Sequence, residues 1–223
     1  MPDTGADPFA SYGAITPFNP PFQTNHIVRV SAGGAIELEL SAPVLPGAGR
    51  EIGVFVNNGI TDVSSNGSGV AKTYTTDPEE LYFSPAPRAI VSVKANEADA
   101  WTPISATPIA FLNPTNFYTD TSISNYFAPL GSAEADFFKP FTGTLDQFSG
   151  KTYSEMLTLL DGSAGGTWLD ISGTGLSSVR YIKFEVPQGE SYRMMVDAVT
   201  AVPEPSGAGL ALLAGAMLLR RKR

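Results

Sequence analysis

Four aromatic residues, Trp101, Trp168, Tyr118 and Tyr126, stand among polar and turn residues, where their flat rings could stack on sugar rings. Packing is the competing use of each ring, and a shared sheet face or loop rim is what would separate binding from packing. Carboxylates offer two more chemistries. A glycosidase needs two of them at a defined separation, and calcium takes oxygen ligands of the kind carried by Asp120, Asp136, Asp146, Asp161 and Asp170. Spacing along a chain does not fix spacing in space, however, and no D-x-[DN]-x-[DN]-G loop occurs, so calcium has no motif behind it. The chain has no cysteine, which excludes disulfides, thiol catalysis and cysteine-ligated zinc or iron–sulfur centres. Its single histidine, His26, lies in Thr24-Asn25-His26-Ile27-Val28 just ahead of a predicted strand and reads as a surface or packing residue. The expectation is a protein that is not an enzyme, with no catalytic residues, no metal site and no cofactor.

Charge narrows the partners. Acidic residues outnumber basic ones by 22 to 14, and four of the basic ones are the terminal Arg220, Arg221, Lys222 and Arg223. Without them the body holds 10 basic against 22 acidic residues, a net of about −12. Such a body repels nucleic acid, which binds through neutralised phosphates.

The elements that would position these residues are strands. Ile36, Leu38 and Leu40 alternate with Glu37, Glu39 and Ser41, which predicts a strand with one wet face. Glu51 to Val56 is more uniformly apolar and predicts a strand buried on both sides. Ala89 to Lys94, the polar turn Asn96-Glu97-Ala98-Asp99 and Trp101 to Ile104 predict a hairpin whose second strand carries a large ring. From Pro108 to Phe148 many aromatics occur without a clear period, as in a long loop pinned by its own rings. Thr152-Tyr153-Ser154-Glu155 has the form of a capping box and predicts one short helix ending at Asp161-Gly162. Val179 to Val186 and about Tyr192 to Val199 complete the strands. The fold class expected is all-β, an antiparallel β-sandwich of jelly-roll kind over residues 1–200 with Ile36, Leu38, Leu40, Val54, Val91, Val93, Ile182 and Phe184 in its core.

Residues 201–223 have a separate character. Pro203-Glu204-Pro205 is followed by an uncharged run of 13 residues, Gly207 to Leu219, and then by Arg220-Arg221-Lys222-Arg223. The run predicts a single C-terminal hydrophobic helix. It spans about 20 Å as a helix against a hydrocarbon core of about 30 Å. A basic cluster after an apolar helix holds that end in the cytoplasm while the preceding domain is translocated, which leaves Pro203-Glu204-Pro205 at the outer face. As a core helix the run would set four consecutive cations against the interior, which is why a membrane reading is preferred.

This order of motif, helix and basic end resembles the PEP-CTERM sorting signal of Gram-negative bacteria that make extracellular polysaccharide. The resemblance implies that exosortase, an integral-membrane cysteine protease, is a transient partner that recognises Pro203, Glu204 and Pro205 with the helix, cleaves, and passes the body from the inner membrane to the cell surface or matrix. The match covers about the last 23 residues. A softer resemblance, carried by Gly33-Gly34-Ala35-Ile36-Glu37-Leu38, the Ala89-to-Trp101 hairpin and Gly175 to Ile182, is to the β-sandwich ectodomain of many proteins bearing this tail. Such proteins begin with a secretory signal peptide, whereas Met1-Pro2-Asp3-Thr4-Gly5-Ala6-Asp7 has neither a basic n-region nor an apolar h-region. A late start assignment or a truncated gene accounts for this, and an in-frame upstream start encoding such a segment is expected. The functional expectation is an exported surface or matrix protein associated with exopolysaccharide. The alternative is a carbohydrate-binding module using the four aromatics named above.

Overall fold

The computed structural model describes residues 14–21, 27–47, 49–65, 67–82, 85–121 and 131–202. Its strands are β1 (Val28–Val30), β2 (Ala35–Val44), β3 (Ile52–Val56), β4 (Arg88–Lys94), β5 (Thr102–Pro103), β6 (Ile109–Ala110), β7 (Thr167–Leu169), β8 (Val179–Glu185) and β9 (Met194–Ala201), with one α-helix, α1 (Tyr153–Leu160). They form two antiparallel sheets, one ordered β1-β9-β3-β7 and the other β2-β8-β4-β5, with β6 also pairing on β4. The fold is therefore all-β and sandwich-like with one short helix, as the alternating patterns predict. The apolar helix predicted over 207–219 lies outside the described residues.

The sheets face each other across a core in which Val54 from one sheet and Val91, Val93, Ile182 and Phe184 from the other are fully buried. Phe184 meets the edge of Phe111, with ring centroids 6.0 Å apart. Leu40 joins this core, but Ile36 and Leu38 are only half-buried and pack on its margin, unlike the fully interior positions their alternation suggested. The reason is topological: among the described strands β2 pairs with β8 alone, so its inward face lies at the rim of the sandwich.

A second apolar layer covers the other face of the β3 sheet. Phe55 and Trp168 on that face pack with Phe141, Phe148, Met156 and Leu160, which is why every residue of β3 is buried. The aromatic stretch after Pro108 is buried as expected of a loop pinned by its rings, but in three places: Phe141 and Phe148 enter this layer, Phe111 the core between the sheets, and Phe117 and Tyr118 a small cluster with Ala14 and Ile15. Tyr126 and Phe127 lie outside the described residues. Helix α1 contributes Tyr153, Met156 and Leu160. Its capping box forms as the sequence predicts, the Thr152 side chain accepting from the Glu155 amide and Glu155 Oε2 accepting from the Thr152 amide at 2.8 Å. Asp161, at φ 47°, ends it, and Lys139 donates to the Asp161 carboxylate at 2.7 Å.

Gly53 explains how a large ring fits inside this layer. It pairs with Trp168 on one side and Thr200 on the other, and a Cβ there would come within 2.8 Å of Trp168 Cζ2 and 2.9 Å of Thr200 Cγ2. The missing side chain is the space the indole occupies.

Candidate functional site

The wet face of the β2-β8-β4-β5 sheet carries the most developed surface constellation. Antiparallel register places Glu37 opposite Lys183 and Lys183 opposite Ser92, and in the next row Glu39 opposite Tyr181 and Tyr181 opposite Lys94. Thr102 pairs with Val93, so Trp101 enters the row beside Lys94. The Lys94 ammonium lies 4.6 Å from the Trp101 ring centroid and 5.3 Å from that of Tyr181, while the Lys183 ammonium lies 5.4 Å from Trp101. Cation–π attraction of this kind is worth about 0.5–2 kcal/mol, more as the cation is desolvated. Lys94 is 8% exposed, and its ammonium also donates to the Glu97 carbonyl in the turn before Trp101. Carboxylates frame the cluster: Glu185 pairs with Lys183 at 3.2 Å, and Glu39 accepts from Arg180 at 3.0 Å. This is a half-buried indole with a tyrosine ring beside it and both charge signs within reach, a surface suited to binding a polar ligand that also offers a flat apolar face.

The three described aromatics proposed for stacking, Trp101, Trp168 and Tyr118, lie in separate places. Trp101 is half-buried on the wet face. Trp168 is 4% exposed beneath the second apolar layer, where its Nε1 donates to the Gly165 carbonyl at 2.9 Å and its ring meets Phe55 edge-on. Tyr118 is 8% exposed and packs on Phe117. Both of these rings serve packing and present no stacking face. Tyr126, His26, the motif Pro203, Glu204 and Pro205, and the basic end Arg220 to Arg223 lie outside the described residues. Lys94, Lys183 and Tyr181 were not singled out in the sequence. Their positions on the polar side of alternating strands are visible there, but their meeting around Trp101 depends on cross-strand register.

The aspartates considered for calcium are separately employed in loops. Asp136 accepts from the Phe138 amide at 2.7 Å and Asp170 from the Ser172 amide at 2.8 Å, while Asp161 pairs with Lys139. Asp146 lies in the first turn of the 3-10 segment Leu145–Phe148. Among the described residues no three His, Cys, Asp or Glu side chains converge as a metal site, and no helix is long and apolar enough to cross a membrane.

Asp120 is a clamp. Its carboxylate accepts from the Ser132 amide at 2.9 Å, the Ala133 amide at 2.9 Å and the Ser132 hydroxyl, which ties the chain before 122–130 to the chain after it. The Ser132 hydroxyl and these amides hold its pKa below the usual aspartate value. A depressed folded pKa contributes stability that is present above the unfolded value of about 3.9 and is lost as pH falls through the folded one. The difference in urea midpoint between the native chain and Asp120→Asn is thus expected to be largest above about pH 4 and to shrink below it. A difference that stays constant on acidification would show that the carboxylate charge does not make the clamp.

A buried carboxylate does comparable work elsewhere in the fold. Glu51, 6% exposed, accepts from the Gly47 amide at 3.0 Å and the Ile171 amide at 3.0 Å, tying the loop before β3 to the one after β7.

Compared with known proteins, the chain matches no family model and no curated protein.

Proposed function

We propose that this protein is an exported, non-catalytic component of the cell surface or extracellular matrix, delivered by its C-terminal residues. The observation that carries the reading is the order Pro203-Glu204-Pro205, an uncharged run from Gly207 to Leu219, and four terminal cations. Each part alone is common. In this order they place a cleavable motif at the outer face of a bilayer, a short helix within it and a positive stop on the cytoplasmic side. Exosortase is the processing partner this pattern implies, and residues 1–200 are the cargo, a sandwich read as a jelly roll. Fractionation of the native host is expected to find the protein in the envelope or outside the cell. Recovery from the cytoplasm alone would end the reading.

A second reading, carbohydrate binding, is favoured by one observation, the Trp101 and Tyr181 rings held by Lys94 on the wet sheet face. Stacking of a sugar ring on exposed indole surface, with Lys183 and Glu37 at its rim, would attach the body to extracellular polysaccharide. Trp101→Ala is then expected to weaken retention of the protein on the host's own exopolysaccharide about tenfold, taking about 1–3 kcal/mol for a stacked ring. Unchanged retention would leave Trp101 as cover for the sheet and the two lysines.

A further inference from the structure

Exposed apolar side chains gather in one place. Val28, Leu45 and Phe138, three of the four large hydrophobic side chains exposed among the described residues, line a single groove of about 1250 Å³, whereas the fourth, Val63, does not. The groove runs between the inward face of β2, where Leu38 and Leu40 line it, and the later part of β9 with the residue after it, where Val199 and Val202 do. Its position follows from the topology. β9 pairs with β3 as far as Ala201, but on its other side β1 accompanies it only at Met194 to Val196. From Ala198 to Ala201 no described strand lies on that side, and the sandwich opens there. The same opening leaves Ile36 and Leu38 half-buried.

We propose that the occupant of this groove is the chain's own apolar run, Gly207 to Leu219, folded back along β9 whenever no bilayer is at hand. Continuity favours it, because Val202 already lines the groove and the run begins five residues later, past Pro203-Glu204-Pro205-Ser206, residue types that favour turns. Length favours it as well. Thirteen residues make a helix of about 20 Å, and the flank of β9 from Val196 to Val202 is also about 20 Å long at about 3.3 Å per residue. Charge agrees, since the four terminal cations then lie against the acidic body, in a chain with 22 acidic against 14 basic residues. The exchange costs little in either direction: burial in the groove removes the leucines from water, and a bilayer does the same, so the run is shielded beforehand and released on insertion. The inference needs only the apolar run and not its processing, so it stands or falls apart from the sorting role.

The absence of cysteine makes the test direct, because two introduced cysteines can form only one intramolecular bond. The full chain carrying Val28→Cys and Leu218→Cys is compared, dilute and free of detergent and lipid, with one carrying Val63→Cys and Leu218→Cys. Val28 and Val63 are similarly exposed, at 49% and 57%, so both variants should keep the fold. Val28 lies opposite Val196, at the far end of the groove from Val202. Docking raises the local concentration of the partner thiol, so the intramolecular disulfide is expected about tenfold faster in the groove pair than in the control pair. Adding Leu212→Ser and Leu213→Ser should reduce the groove pair to the control rate. Equal rates in the two pairs, a preference indifferent to the serines, or disulfide-linked dimers in place of the intramolecular bond would each overturn the inference, the last by giving the groove to a second copy.

Discussion

Phe184→Ala is expected to cost the fold about 3–5 kcal/mol in equilibrium urea unfolding, a large share of the roughly 5–15 kcal/mol that holds a domain together. The side chain is completely buried between the sheets, opposite Val91 on one neighbouring strand and Ile36 on the other, with Phe111 against its ring. Neighbours drawn from both sheets and from a loop cannot all collapse into the space it leaves. Leu38→Ala, two residue pairs along the same strand pairing, should cost only about 1 kcal/mol, since a half-buried leucine gives up roughly half of the transfer energy of a full one. The contrast tests the topology as well as the packing. Similar losses from the two variants would mean that β2 is covered on its inward face and that the sandwich does not open beside it.

That contrast also shows which features local sequence carries. β2, β4 and β8 are visible because apolar and polar residues alternate within each, and α1 because Thr152 and Glu155 stand at capping-box spacing. These signals span a few residues. Ile36 and Leu38 look identical to Ile182 and Phe184 in their own strands, and only the order β2-β8-β4-β5 makes the first pair marginal and the second central. The two tryptophans are separated in the same way. Trp168 is interior because Gly53 leaves room for it and Gly165 accepts its N–H, whereas Trp101 is on the wet face because the hairpin register sets it beside Lys94. The burial of β3 on both sides is legible from its uniform apolarity, but the layer that causes it is assembled from separate stretches, Ile60 to Ala86 and Ala135 to Leu160, whose convergence no local pattern announces.

The other large effect is on location. Replacing Pro203, Glu204 and Pro205 together by alanine is expected to leave the full-length protein in the inner membrane of its host, because the apolar run and the basic end still engage the bilayer while the cleavable motif is gone. The folded body should be unaffected, since β9 ends at Ala201 and Val202 still donates to the Glu51 carbonyl at 2.9 Å. Urea unfolding therefore serves as the control: a normal transition with altered location assigns the effect to the motif. Normal release of the alanine variant would make the motif irrelevant and leave the tail as a plain anchor.

The measurement that bears most directly on the proposed role is the mass of the mature protein recovered from the surface or medium of a host that makes exosortase. On the proposed sorting role, processing near Pro203-Glu204-Pro205 would remove the apolar run together with four cations, so the released body is expected to be more acidic by four charges and to yield no peptide from Gly207 onward. A surface form that still contains Arg220 to Arg223 would contradict the sorting account.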